Sequence, residues 1–387
     1  MRFDFDKVPS REGTGSYKWD SKPGVLPLWV ADMDFPTAPC VIEALRRRVD
    51  HGIFGYTLVG EDYYEALTGW FATRHGYPFD AGQVIYTSGV VPAISAIIKA
   101  LVRPGEGVIV QTPVYNCFFS SIRNNGCRIV ENPLLRSDAG DGLFTYTMDY
   151  EGLERLCAIP ENRLLLLCNP HNPAGRCWSR DELSRVARIA GKYGVRVVSD
   201  EIHCELTMPG YTYTPYGTVD RDAVVCLSPS KAFNTAGLQI ANIVTPSREI
   251  RDAIDKAINI NEVCDVNPFG VEALKASYTV AGKEWLDELR AYLHSNWLFT
   301  LGRLREELPE CPVARLEATY LPWVDVSTLS PDADALEHLL LEKAGVWVNS
   351  GVMYGRDGYI RLNIACPKTL LAEGLDRITG TLKSLVK

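Results

Sequence analysis

The chain has 387 residues, 46% of them hydrophobic and 10% aromatic, enough to bury a large core in about two domains. A net charge of −8 leaves no broad basic surface, which argues against nucleic-acid or anionic-lipid partners and leaves small-molecule chemistry as the default. The opening MRFDFDKVPSREG lacks an apolar signal core and no run of about 18 apolar residues occurs, so a cytoplasmic protein with no membrane span is expected.

Up to about Pro39 the chain carries scattered Gly and Pro with exposed-looking aromatics (Trp19, Trp29, Phe35), the pattern of an arm laid over other surfaces. Helical patterning follows at Cys40 to Asp50 and at Asp62 to His75. Beyond it, short apolar runs that suit buried parallel strands alternate with amphipathic segments. Gly107 to Gln111, Arg163 to Cys168, Val195 to Ser199 and Ala223 to Leu227 read as strands, while Ala93 to Leu101 and Asp181 to Tyr193 read as helices. Such alternation predicts an α/β fold with a mostly parallel sheet, in which ligands sit beyond the carboxyl ends of the strands. After about Asn261 the pattern becomes a long helical stretch through Arg305. Short strands near Tyr320 to Val326, Val346 to Val348 and Tyr359 to Ile364 then suggest a smaller α+β domain, with the long helix as the link.

Three strand-end loops carry the chemistry. In Asn169-Pro170-His171-Asn172-Pro173-Ala174-Gly175 the prolines and glycine fix a loop that presents the Asn172 amide to a cleft. Asp200, in Ser199-Asp200-Glu201-Ile202-His203, ends a buried strand, where a carboxylate is costly unless a cation or several donors meet it. Lys231, in Ser228-Pro229-Ser230-Lys231-Ala232-Phe233-Asn234, sits at the mouth of the same sheet, and a desolvated lysine is an amine nucleophile. An Asp and a Lys on successive strand ends suit a pyridoxal cofactor, which needs an amine for its aldehyde and a carboxylate for its ring nitrogen. A fourth segment, Thr87 to Ala93, runs from strand into helix and offers free N–H groups to a phosphate.

Taken singly these signals are modest, since most lysines are surface charges and Asp200 reads equally as a helix cap. Together with LWVADMDF at Leu28 to Phe35, GIFGYT at Gly52 to Thr57, SGVVPAI at Ser88 to Ile94 and YIRLN at Tyr359 to Asn363, they resemble one family over nearly the whole chain. That family is the fold-type I, aminotransferase-like class of pyridoxal 5'-phosphate (PLP) enzymes, in its MalY/PatB-type cystathionine β-lyase (C–S lyase) branch. The resemblance implies a large PLP-binding domain over 48–285, a small domain over 286–387, and an N-terminal arm with part of the small domain over 1–47.

It also implies roles. Lys231 would carry the cofactor, Asp200 would face its ring nitrogen, Asn172 would donate to its ring oxygen and Tyr115 would stack on the ring. Gly89, Val90, Ser228 and Ser230 would hold the phosphate, with Tyr56 of the partner subunit reaching into a site shared across a homodimer and counted with Lys231 as catalytic. Arg361 would clamp the substrate α-carboxylate beside Asn172, and Val30 and Ala31 would close over the substrate. His203 stands where many aminotransferases of this fold carry a tyrosine, as in the lyase branch, and is counted among the cofactor-binding residues.

The implied reaction is α,β-elimination on an amino acid, in which Lys231 removes the Cα proton and a thiolate leaves Cβ. L-Cystathionine would give homocysteine, pyruvate and ammonia. Two alternatives use the same scaffold: an aminotransferase of an L-amino acid, and a regulatory or binding protein. The 11 cysteines include no CxxC pair and read mostly as small buried hydrophobes. Cys168, His171, His203 and Cys204 fit no standard zinc spacing, so no metal is expected.

Overall fold

The computed structural model describes residues 2–262 and 265–385. Among them, seven strands form the larger sheet in the order Val84–Thr87, Ala241–Val244, Val224–Leu227, Arg196–Asp200, Asn162–Cys168, Gly107–Val110, Arg128–Glu131. Every pairing is parallel except the two made by Ala241–Val244. The central strands read VVCL, RVVSD and NRLLLLC and are buried almost throughout, as strands covered on both faces must be. On one face the helices Val90–Leu101 and Arg248–Asn259 pack over Ile85, Val108, Val198 and Ile243. The other face buries Leu165, Val197 and Val225 with Trp178 and Tyr216.

The smaller sheet has the order Asn349–Ser350, Tyr359–Arg361, Trp323–Asp325, Val313–Ala314, Leu143–Thr147, Leu135–Gly140. Its last two strands are a hairpin inserted between Arg128–Glu131 and Asn162–Cys168 of the larger sheet, joined to Val313–Ala314 by parallel pairing. A further pair, Leu26–Pro27 with Val346–Trp347, ties the N-terminal arm to the C-terminal part of the chain.

Two expectations need correction. Trp29 and Phe35 are buried, because the arm is not laid loosely outside: Trp29 stacks on Trp347 at 4.0 Å and Phe35 packs edge-on to Phe5 and Tyr292. The helical stretch from Asn261 to Arg305 is two helices, Pro268–Ser277 and Val280–Glu307; residues 263 and 264 lie outside the described part. Extended Thr279 makes the break and caps the second helix by accepting from Gly282 N. A Cβ at residue 282 would lie 2.0 Å from Ser277 O, so only glycine lets the chain turn there. The Val280–Glu307 helix packs on Pro39–His51, Pro268–Ser277 and Lys368–Lys383. Of the ten described cysteines, eight are buried and none is disulfide-bonded.

Candidate active site

Three neighbouring parallel strands bring the chemical loops together, because Cys168 is in register with Asp200 and Asp200 with Cys226. Their carboxyl ends therefore open side by side onto a cavity of about 280 Å³. Lys231, Asp200, His203 and Asn172 line it, as do Ser230 and Tyr115. Gly89 and Val90 enter from the Val90–Leu101 helix, where Gly89 is the N-cap and no side chain caps the free amides. Ala31 completes the wall from the arm, and Ser88, Cys168, Ile202 and Gln239, to which the sequence assigned no role in the site, line it too.

Lys231 Nζ donates to Ala31 O at 2.7 Å. Burial pushes its pKa below the ordinary lysine value, while Asp32 and Asp200 oppose that and Arg361 adds to it. The Asp200 carboxyl is 4% exposed, and burial raises its pKa to about 6 against the Ile202 amide, 3.1 Å from Oδ1, and Lys231. A carboxylate so poorly compensated is poised for a cation. His203 is held neutral: burial first, then Lys231 and Arg361, lower its pKa to about 3. The Tyr115 phenol is raised well above its usual range by burial and by Cys117.

Arg361 is buried against the ring of Tyr354, 4.7 Å from its centroid. It donates from Nη1 to Asn172 Oδ1 at 3.1 Å and from Nη2 to Trp29 O at 3.0 Å. Two buried nitrogens of the site, His203 Nδ1 and Arg361 Nε, have no partner among the described residues. Three candidates stand apart. Ser228 is turned into the protein, where Oγ donates to Ile240 O at 2.7 Å and accepts from Ser230 N at 3.1 Å. Val30 lies behind the wall with its carbonyl on Asn363 Nδ2. Tyr56 is 99% exposed and does not reach the cavity of its own chain.

The loops are braced from behind. Glu201 accepts from Ser199 Oγ at 2.8 Å, Asn169 Nδ2 at 3.1 Å, Tyr216 N at 2.8 Å and the Tyr213 hydroxyl. Burial nevertheless lifts its pKa to about 7. Asn234, in the left-handed region at φ 52, donates to the carbonyls of Met33 and Phe35 and accepts from Met33 N, lacing the lysine loop to the arm. Elsewhere His75, Cys204 and Glu205 cluster, but the Glu205 carboxylate is committed to His75 Nε2, Arg74 Nε and Trp70 Nε1. These partners outweigh its burial and hold its pKa at about 2.

Residues 23–378 match the family Aminotransferase class I and II. The chain belongs to that family. It is 39% identical to cystathionine beta-lyase PatB of Bacillus subtilis, over 98% of this chain and 99% of that one. The structure of cystalysin from Treponema denticola, which contains a PLP cofactor, superposes with a TM-score of 0.94 at 35% identity, covering both chains fully. The PLP-bound C–S lyase from Staphylococcus hominis superposes with a TM-score of 0.92 at 30% identity, over 98% of this chain and 99% of that one. The fold is thus the aminotransferase-like fold type I.

The residues of the cavity fit PLP on their own chemistry. Asp200 has no ion-pair partner among the described residues, Lys231 is buried so that its charged form is disfavoured, and the amides after Gly89 form an anion cradle.

Proposed function

We propose that this protein is a PLP-dependent C–S lyase that cleaves cysteine S-conjugates, L-cystathionine among them, by α,β-elimination to a thiol, pyruvate and ammonia. The observation that carries the reading is the convergence of Lys231, Asp200 and Asn172 on one cavity, with the Arg361 guanidinium hydrogen-bonded to Asn172. The relatives named as cystathionine β-lyase and C–S lyase support the reaction class.

PLP, when bound, supplies an aldehyde for the substrate amine and a ring that accepts the electron pair left at Cα. Lys231 and Asp200 would hold it, with Asn172 on its ring oxygen and Tyr115 on its face. The amides of Gly89 and Val90, with Ser230, would take the phosphate, and Ser228 would hold the Ser230 backbone in place from behind. Arg361 would exchange its bond to Trp29 O for the substrate α-carboxylate, and a bidentate grip there fixes which Cα bond points at Lys231. Lys231 Nζ, whose protonated form burial disfavours, then takes the Cα proton. The electron pair forms the Cα–Cβ double bond as the Cβ–S bond breaks, and the proton held on Nζ is available to the departing thiolate. The released enamine hydrolyses to pyruvate and ammonia. Neutral His203 places no positive charge against the cofactor.

We extend the proposal to a cytoplasmic homodimer. Ile53, Phe54, Tyr56 and Leu58 are 66%, 54%, 99% and 87% exposed in one short segment, a patch that suits a second copy and lets Tyr56 of the partner subunit complete the phosphate end.

PLP-loaded protein mixed with L-cystathionine should release thiol and pyruvate in equal amounts. Amino transfer to an added 2-oxo acid, with no thiol, would make it an aminotransferase instead. Lys231→Ala should remove both turnover and the visible absorbance of the loaded protein. Arg361→Gln should cost about 1.5–3 kcal/mol of transition-state stabilisation, about 10- to 150-fold in kcat/KM, felt mainly as a raised KM.

A further inference from the structure

The LWVADMDF segment, Leu28 to Phe35, does more in this structure than close a wall. Two of its backbone carbonyls turn toward the reacting side: Trp29 O accepts from Arg361 Nη2 at 3.0 Å and from Asn349 Nδ2 at 2.9 Å. Ala31 O accepts from Lys231 Nζ at 2.7 Å and from the Tyr320 hydroxyl at 3.0 Å. Its two acidic side chains turn the other way. Asp32 is gripped by both Arg11 Nη atoms, at 3.0 and 2.7 Å, with Lys18 Nζ at 3.6 Å. Asp34 takes Lys18 Nζ at 2.8 Å, Arg11 Nη1 at 2.9 Å and Trp19 Nε1 at 2.9 Å.

Lys18 is 1% exposed, so it needs a counter-ion, and Asp34 provides one at hydrogen-bond distance. Asp32 is the additional carboxylate. It directly follows Ala31, and its own carbonyl is fixed by Asn363 Nδ2 at 2.7 Å. We propose that Asp32, clamped by Arg11, is a positioning residue of the reaction: it keeps the Ala31 carbonyl against Lys231 Nζ and supplies a counter-charge to that nitrogen from the arm. The inference rests on the reading of Lys231 as the cofactor lysine.

The electrostatics agree. Through space, Asp32, Asp200 and Cys117 favour the protonated form of Lys231 and Arg361 opposes it, Asp32 being first among the former, with His203 and Tyr115 in the same cavity. Asp32 itself is faced by Arg11, Lys18, Asp34 and Tyr320. Arg11 weakens the field of Asp32 at the lysine, so removing Asp32 and removing Arg11 must act with opposite sign.

The test is a pH titration of the visible absorbance of PLP-loaded protein without substrate, for the wild type, Asp32→Asn, Asp32→Glu and Arg11→Gln. Asp32→Asn should move the midpoint to lower pH, Arg11→Gln should move it to higher pH, and Asp32→Glu should return it toward the wild type. Midpoints that stay put, or that move the same way in Asp32→Asn and Arg11→Gln, overturn the proposal. Should Asp32→Asn fail to fold, Arg11→Gln decides alone: an upward shift supports the proposal and any other result ends it. Lys231→Ala separates the two readings, since a visible band that survives in it would overturn the cofactor lysine itself.

Discussion

Asp200 is the residue at which function and stability pull apart. Its folded pKa of about 6 lies above the ordinary value of 3.8, so between those values the folded chain binds a proton that the unfolded chain does not. Stability from this group is therefore full at the acid end and is lost as pH rises from about 4 to about 6, a loss on the order of 3 kcal/mol. Cofactor-free Asp200→Asn should melt above the cofactor-free wild type at pH 8, with the gap closing near pH 4, and it should release PLP faster. Equal melting temperatures at both pH values would mean that the carboxylate is compensated in a way the hydrogen bonds do not provide. Lys231, Asp200 and Asn172 were legible in the sequence because each lies at or just beyond the end of an apolar run. The Arg11–Asp32 and Lys18–Asp34 pairs were not, because spacings of 21 and 16 residues through irregular chain carry no periodicity.

The same division holds for elements. The four strands with a continuous apolar run and helices such as Pro39–His51, Glu61–His75 and Arg180–Tyr193 were readable to within a few residues, whereas the amphipathic helices Asn116–Asn124, Tyr150–Cys157, Arg248–Asn259 and Lys368–Lys383 were not singled out. Ala241–Val244 was missed although it is buried, because it follows an irregular stretch and pairs antiparallel on both sides. Tyr359–Arg361 was read from the sequence, but the strands of the smaller sheet at Val313–Ala314 and Asn349–Ser350 are two residues long and exist only through their partners. Helix Arg180–Tyr193 was legible, and its start explains part of the site. Ser179 and Glu182 form a capping box, and Glu182 also receives Arg176 Nη2, at the end of the Asn172 loop, at 3.1 Å. Ser179→Ala should cost about 1 kcal/mol, seen as a lower melting temperature, with kcat nearly unchanged because Arg176 keeps Glu317 at 2.8 Å. A large fall in kcat would show that the cap itself sets the loop.

At the scale of the molecule, the exposed Ile53, Phe54, Tyr56 and Leu58 make the association state the telling property. Leu58→Asp should convert a dimer to a monomer in size-exclusion with light scattering and weaken PLP retention. A wild type that runs as a monomer would remove Tyr56 from the site. The alternation of strands and helices around the larger sheet was legible in part from the sequence, whereas the way the two sheets share chain was not, since β pairing leaves no mark on either partner alone. That sharing has a practical consequence. The chain leaves the larger sheet after Arg128–Glu131, lends Leu135–Thr147 to the smaller one and returns as Asn162–Cys168, so the two sheets are stitched rather than merely apposed. A protease nick in the exposed tip at Asp141 would leave two fragments held by the ladders on either side of it. A gene fragment beginning at residue 286 would lack that hairpin, leaving Val313–Ala314 as a raw edge open to any strand it met.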